Sequence, residues 1–289
     1  MTTLITGATG LIGRDLLNLL YGNGQLENQN FRLFVRETSD VTNLKKMGFE
    51  LFYGDIDNKD SLLKATKDVD VIIHIVQMRY SPKVVDVANE NNVKRIIIIG
   101  TTGVFSKYKM YSEEYKECEE YIKSHSKVPY VILRPTMIYG SKKDKNVHKL
   151  VEFMNKYRFF PVFGDGKGKM QPIYYQDLSN AIYSVYNDQS IVNNAFNLAG
   201  KNQLKYEDLL IVTANQLKKK VLIIKIPLPI SILLVSIYNK LSKKPKLKLE
   251  QVKRISEDKI FDYSNAETQF NFSPISFEEG IKKQIHSMY

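Results

Sequence analysis

The chain has 289 residues, 43% of them hydrophobic and 25% charged; these ordinary globular values exclude disorder over most of its length. Cys118 is the single cysteine, which excludes an intrachain disulfide scaffold and any metal site built on several thiolates. With only four histidines besides, no metal site is expected. A net charge of +11 admits three kinds of partner: nucleic acid, an anionic membrane surface, or a phosphate-rich small molecule.

Much of the excess charge sits in Lys218-Lys219-Lys220 and in the stretch from Lys240 to Lys248. Neither cluster lies in an RRM, zinc-finger or basic-helix pattern, so no nucleic-acid partner is expected and solvated faces are the simplest reading. Met1 runs into Thr2-Thr3-Leu4-Ile5 with no basic segment and no apolar core of a secretory signal. With the lone thiol, this gives the expectation of a cytoplasmic protein.

In chain order, Leu4-Ile5 predicts a strand and Leu11 to Leu20 a helix. Strands are predicted at Phe31 to Val35, Glu50 to Tyr53, Val69 to Val76, Arg95 to Ile99 and Tyr130 to Leu133, with helices at Ser61 to Lys67, Pro82 to Asn91 and Ser112 to Ser124. Val71-Ile72-Ile73 and Ile96 to Ile99 are apolar at every position, as in strands covered on both faces by helices. Such alternation predicts a doubly wound parallel α/β sheet. Beyond about Gly140 the rhythm changes. Helices are predicted at Val147 to Tyr157, Gln176 to Asn187, Tyr206 to Leu217 and Leu249 to Glu257, with short strands at Val162-Phe163, Pro172 to Tyr174 and Ala195 to Asn197. The expected organisation is a nucleotide-binding domain over 1–140, with 171–200 adding to its sheet and last helix, and a smaller mixed α/β substrate lobe from 141–170 and 201–289. The apolar run Ile226 to Tyr238 is shorter than the ~20 residues that span a bilayer, and predicts a buried helix entered through Pro227 and Pro229.

The segment Thr6-Gly7-Ala8-Thr9-Gly10-Leu11-Ile12-Gly13 joins the first strand to the first helix. Gly7 permits a tight turn, Gly10 lets a diphosphate approach the backbone, and Gly13 lets the helix pack close to the sheet, its positive end facing the phosphates. At the end of the second strand stands Arg36, a fork suited to a ribose 2′-phosphate, followed by Glu37. NADP is therefore expected over NAD.

The spacing Gly-x-x-Gly-x-x-Gly resembles the extended and atypical branches of the short-chain dehydrogenase/reductase superfamily, the nucleotide-sugar epimerase/dehydratase-like proteins. Further segments carry the resemblance: Gly54-Asp55-Ile56-Asp57, Leu133-Arg134-Pro135-Thr136-Met137-Ile138-Tyr139-Gly140, Phe163 to Gly166, Gln171 to Leu178, and Phe261 to Gly280. The resemblance implies a Rossmann-type fold and a dinucleotide lined by Gly7, Thr9, Gly10, Leu11, Ile12 and Gly13. It adds Asp55 and Ile56, Ile75 and Val76, and Pro135 and Thr136 to that lining. It also implies a Ser/Thr, Tyr and Lys at the reacting centre.

Gly100-Thr101-Thr102-Gly103-Val104-Phe105 resembles that family's Ser-Ser-x-x-Val-Tyr, and places Thr101 at the first of these positions. The Tyr-x-x-x-Lys pair is not intact. Aligned on Glu120 and Ile122, Lys116 takes the lysine position, Ser112 stands four residues before it, and Tyr111 is displaced by one. Two readings stay open: Tyr111 acts with Lys116 from a distorted helix start, or the triad is degenerate. His74 is expected as a satisfied strand-end residue, Cys118 as an unreactive thiol beside glutamates, and Asp177 as a helix cap. Arg79, Lys142 and Asn146 are the candidates for an anionic substrate.

The expected function is NAD(P)-dependent hydride transfer as an oxidoreductase, epimerase (isomerase) or dehydratase on a nucleotide-linked sugar or similar polar hydroxyl compound. Two alternatives remain: a degenerate NADP-sensing regulator or assembly factor, and a peripheral membrane enzyme acting on a lipid-linked sugar through Pro229 to Lys248. A dimer fits the family, but the sequence does not fix the oligomeric state.

Overall fold

A computed structural model describes residues 1–25, 29–107, 111–144, 146–242 and 257–289. The first half runs β1 (Thr2–Thr6), α1 (Leu11–Gly22), β2 (Asn30–Val35), α2 (Thr42–Lys46), β3 (Glu50–Tyr53), α3 (Lys59–Ala65), β4 (Val71–His74), α4 (Ser81–Glu90), β5 (Arg95–Ile99), α5 (Ser112–His125) and β6 (Tyr130–Pro135). The second half runs β7 (Ile138–Tyr139), α6 (Val147–Lys156), β8 (Phe159–Phe163), β9 (Lys169–Met170), β10 (Ile173–Tyr174), α7 (Tyr175–Asn187), β11 (Asn194–Leu198), β12 (Leu204–Lys205), α8 (Tyr206–Gln216), β13 (Leu222–Ile226), α9 (Leu228–Leu241), α10 (Ser264–Phe270) and α11 (Phe277–Met288).

Seven strands form one sheet in the order β11-β6-β5-β4-β1-β2-β3, every pair parallel. Because side chains alternate across a strand, the all-apolar runs feed two cores at once. Ile5, Ile73 and Ile97 face α1 and α7, meeting Leu16, Leu20 and Ile182. Leu4, Ile72 and Ile96 face α4 and α5, meeting Val84, Val85 and Ile122. Each such burial removes ~1.5–3 kcal/mol of apolar surface from water. The doubly wound Rossmann-type sheet expected from the sequence is the one observed. The strand order reverses between β1 and β4, which opens a crevice at their carboxyl ends.

The second half packs α6, α8 and α11 around Tyr139, Val151, Leu209, Phe277 and Ile281. A capping box between Ser276 and Glu279 starts α11. Small two-stranded sheets pair β7 with β10, β9 with β12 and β8 with β13.

One expectation is overturned here. The helix entered through Pro227 and Pro229 forms as α9, but it is not buried: Ile230, Leu233, Leu234, Ile237 and Leu241 are all exposed. Its buried residues are Ser231 and Val235. Apolar composition predicted burial and misjudged which body covers it. The helix expected at Leu249 to Glu257 lies almost wholly outside the described residues, as do Tyr108 and Lys145.

Candidate active site

The glycine loop leaves β1 through Gly7 at φ +79°, a left-handed conformation that a side chain would strain. A Cβ on Gly7 would also sit 3.2 Å from Ile75 and 3.3 Å from Val76, so the loop lies directly against the end of β4. At Gly13 a Cβ would come within 2.3 Å of the Gly7 carbonyl oxygen and 2.7 Å of Ala8 Cα. The first turn of α1 therefore presses on the loop itself. Gly10 is the N-cap, no side chain caps the helix, and its first turn holds no acidic residue. The first amides of a helix have no partner inside it, so here they point into the crevice beside the positive end of the dipole. This cradle fits a dinucleotide diphosphate. Arg14 closes its flank, donating from Nε to the Thr9 carbonyl at 3.0 Å and from Nη2 to the Asp40 carbonyl at 3.1 Å.

Arg36 follows the last residue of β2 and is exposed; among the described residues its guanidinium makes no ion pair. The Asp55 carboxylate accepts from the Asp57 amide at 2.9 Å, which fixes the turn after β3, and Ile56 packs against the neighbouring core. At the far side, Thr136 donates its hydroxyl to the Gln171 carbonyl at 2.5 Å and its amide to Leu198. The Pro135 carbonyl accepts from Thr102 Oγ1 at 3.3 Å.

His74, at the end of β4, is fully buried. Its Nδ1 lies 2.8 Å from Thr6 Oγ1, while Nε2 has no partner among the described residues. Burial pulls its pKa down to about 4, weakly opposed by the Gln77 backbone. The ring is therefore a neutral strand-end group satisfied at one nitrogen only. Burial, reinforced by Glu114 and Glu117, pushes the Cys118 thiol up to about 11, which keeps it unreactive at neutral pH. Asp177 does not cap its own helix, whose N-cap is Tyr174. It accepts from the Ile275 amide at 3.1 Å, tying the C-terminal segment to α7, and burial raises its carboxyl to about 6.

Thr101 caps the 3-10 turn Thr102–Phe105, its Oγ1 accepting from the Gly103 amide at 3.0 Å. That bond occupies a lone pair and leaves the hydroxyl proton available. Tyr111 is the N-cap of α5, with its ring under the Arg79 guanidinium at 5.5 Å. Arg79 stands in the turn after β4, with Nε 4.0 Å from Glu114 Oε1.

Lys116 does not join them. Its Nζ is 2.7 Å from Glu113 Oε1, on the solvent side of α5. The correction has a physical cause. Glu119, not Glu120, is the buried glutamate of α5, and it meets Arg134 in a two-pronged pair. Glu120 instead bonds Lys123 at the surface. Tyr111 and Tyr115 stand one turn apart at the start of α5, the Tyr115 amide donating to the Tyr111 carbonyl at 3.1 Å. Burial raises the Tyr115 phenol, with Arg79 acting in the opposite sense.

In the loop before α6, Lys142 and Asn146 are exposed. The buried Asp144, which sequence reasoning passed over, organises this loop. It accepts from the amides of Asn146 at 2.9 Å and His148 at 3.1 Å, and from Gln284 Nε2 at 2.6 Å. An Asp followed two residues later by Asn at a helix start was the available signal. A separate open cleft of about 640 Å³ lies between Gly164–Gly168 and Lys225–Leu228, with Asp165, Lys167 and Asp258 on its walls. It adjoins the reacting end through the chain at Glu257, which accepts from Ser106 Oγ at 2.7 Å and the Lys107 amide at 2.8 Å. Among the described residues no group of three His, Cys, Asp or Glu side chains could hold a metal ion.

With this geometry in place, comparison with known proteins defines the class. Residues 7–156 match the NAD(P)H-binding family, and the chain belongs to that family. The Arabidopsis thaliana protein named NADH dehydrogenase (ubiquinone) 1 alpha subcomplex subunit 9, mitochondrial, is 23% identical over 249 residues, covering 78% of this chain and 60% of that protein. Isoflavone reductase homolog A622 of Nicotiana glauca is 32% identical over 102 residues, 32% of this chain and 33% of that protein. The chain thus spans three fifths of the first of these relatives and one third of the second. Among solved structures, UDP-glucuronic acid 4-epimerase from Bacillus cereus in complex with NAD superposes with a TM-score of 0.75 at 19% identity, covering 100% of this chain and 98% of that one. That last likeness is one of fold. The fold is oxidoreductase-like and the cofactor class is NAD(P).

Proposed function

We propose that the protein is an NADP-preferring oxidoreductase or epimerase that handles a hydroxyl/carbonyl pair on a polar substrate, with a nucleotide-linked sugar as the expected class. The observation that carries this reading is the grouping of Thr101, Tyr111 and Arg79 on the loops after β5 and β4, beside the glycine cradle of β1. The amides of Leu11 and Ile12 hold the diphosphate beside Gly10, whose own amide donates to the Gly7 carbonyl at 3.0 Å; Arg36 pairs with the 2′-phosphate, and Ile75, Val76, Pro135 and Thr136 wall the nicotinamide end. When bound, the nicotinamide supplies or accepts hydride at C4. The Thr101 hydroxyl donates to the substrate oxygen. The Tyr111 phenol gives or takes that oxygen's proton, with the Arg79 guanidinium above its ring where negative charge develops. Lys142 and Asn146 border the substrate from the loop before α6.

The test is turnover. NADPH dideuterated at C4 is incubated with polar carbonyl compounds, and protein loaded with oxidised NADP with a panel of UDP-sugars, and the products are followed by mass spectrometry and chromatography. Either deuterium should appear in a reduced product or a UDP-sugar should convert to its epimer, and Tyr111→Phe should lower that rate by ~10²–10⁴ while leaving NADPH affinity unchanged.

One observation favours a second reading. Lys116 is turned to Glu113, so the usual tyrosine–lysine pair is absent, and the Arabidopsis relative is by name a subunit of a larger assembly. A cofactor-binding component without turnover would bind NADPH equally well, transfer no deuterium and convert no UDP-sugar.

A further inference from the structure

We infer that α9 and β13 form a surface that docks on an anionic lipid bilayer. The inference rests on features remote from the dinucleotide cradle and is independent of the proposed chemistry.

α9 is turned inside out. Ile230, Leu233, Leu234, Ile237 and Leu241 follow the spacing i, i+3, i+4, i+7, i+11, which places them on one helical face. That face is the exposed one: Leu233 is 60% and Leu241 80% accessible. The inward face carries only Ser231 and Val235 as buried residues. Ser231 is fully buried, its hydroxyl donating to the carbonyls of Ile226 at 2.9 Å and Pro227 at 3.0 Å. A helix that faces only water does not gain by presenting leucines outward and serines inward.

β13, which runs directly into α9, also exposes apolar side chains. Leu222 registers with Phe159 of β8, and Ile224 with Pro161. Leu222, Ile224 and Phe159 are all exposed, while Phe160 and Ile223 turn into the core beneath.

Charge selects the occupant. Between Asp208 and Glu250 the sequence has no acidic residue; it has Lys218, Lys219, Lys220, Lys225 and Lys240, and four more lysines between residues 243 and 248. Among the described residues Lys225 is met by Glu207, whereas Lys218, Lys220 and Lys240 make no ion pair. An apolar helical face flanked by lysines matches acyl chains below and anionic headgroups around them. A second copy of this chain would bring the same lysines against each other across a two-fold axis, which disfavours it as the occupant. The 14-residue helix is about 21 Å long at 1.5 Å per residue, less than the ~30 Å hydrocarbon core. No described helix is long and apolar enough to cross a membrane. α9 therefore lies along the interface.

The experiment is flotation of the full-length protein with vesicles of phosphatidylcholine alone and of phosphatidylcholine with phosphatidylglycerol at 3:1. The expected result is at least ~10-fold stronger partitioning onto the anionic vesicles, weakened as salt shortens the screening length. The double change Leu233→Ser and Ile237→Ser should abolish flotation while leaving the melting curve and NADPH affinity intact, because both side chains face solvent. Replacing Lys218, Lys219 and Lys220 by Gln should remove the preference for anionic vesicles. Folded wild-type protein that fails to float at low salt would overturn the inference. So would a dimer, seen by sedimentation without vesicles, that dissociates on Leu233→Ser while flotation stays absent; that result would assign the face to a second copy.

Discussion

His74 is where burial most directly becomes a measurable property. Its folded pKa of about 4 lies below the ordinary imidazole value of 6.5. The unfolded chain therefore takes up the proton first as pH falls. Stability that is complete above about 6.5 is lost through the window from about 6.5 down to about 4, by up to ~3 kcal/mol. Asp177 runs the opposite way. Its carboxyl, raised by burial to about 6, contributes stability that is complete below 3.8 and is lost as pH rises through 6. Because the two contributions oppose each other between pH 6.5 and 4.5, the urea midpoint of His74→Asn should rise relative to that of wild type as pH falls through this window. An unchanged slope in that variant would contradict the account. The sequence placed His74 at a strand end next to the cofactor crevice, and that much was legible. The orphaned Nε2 was not, because it depends on how β1 and β4 pack.

At the scale of elements, α1 and α5 show what sequence carries and what it hides. The glycine loop was fully legible, since its turn, close approach and helix packing are each written as a glycine. Gly13→Ala is expected to destabilise the fold by ~1–3 kcal/mol and to weaken NADPH binding, because the new methyl group meets the loop backbone and not a flexible side chain. A thermal melt and a cofactor titration on the same sample check both. Which glutamate of α5 is buried was not legible, because Glu119 and Glu120 are indistinguishable in a single sequence. Only burial shows that Glu119 holds Arg134 and so sets the phase of the helix. Glu119→Ala leaves a largely buried guanidinium unpaired, with an expected cost of ~3–5 kcal/mol, read as a lowered denaturant midpoint. Glu120→Ala, at the surface, should cost under ~1 kcal/mol. α9 was legible as a helix and misjudged in burial, because periodicity reports a helix's own faces and not what covers them.

Across the whole molecule, the C-terminal segment straps the second half to the sheet. Asp177 holds Ile275, Gln171 holds Phe261, and Asp144 holds Gln284. These ties join residues 90 to 140 positions apart, so no local pattern announces them. The result is a second half held against the sheet that carries the dinucleotide crevice. The central claim is that this crevice takes NADP by the glycine loop and Arg36. Its most direct test is titration of the purified protein with NADPH and NADH, followed by nicotinamide fluorescence, in wild type and Arg36→Ala. NADPH should bind more tightly than NADH, and Arg36→Ala should weaken NADPH by ~10–100-fold, the worth of a charge-assisted pair at ~1.5–3 kcal/mol, with NADH unaffected. Binding of neither nucleotide, or equal binding of both that ignores Arg36→Ala, would contradict the claim.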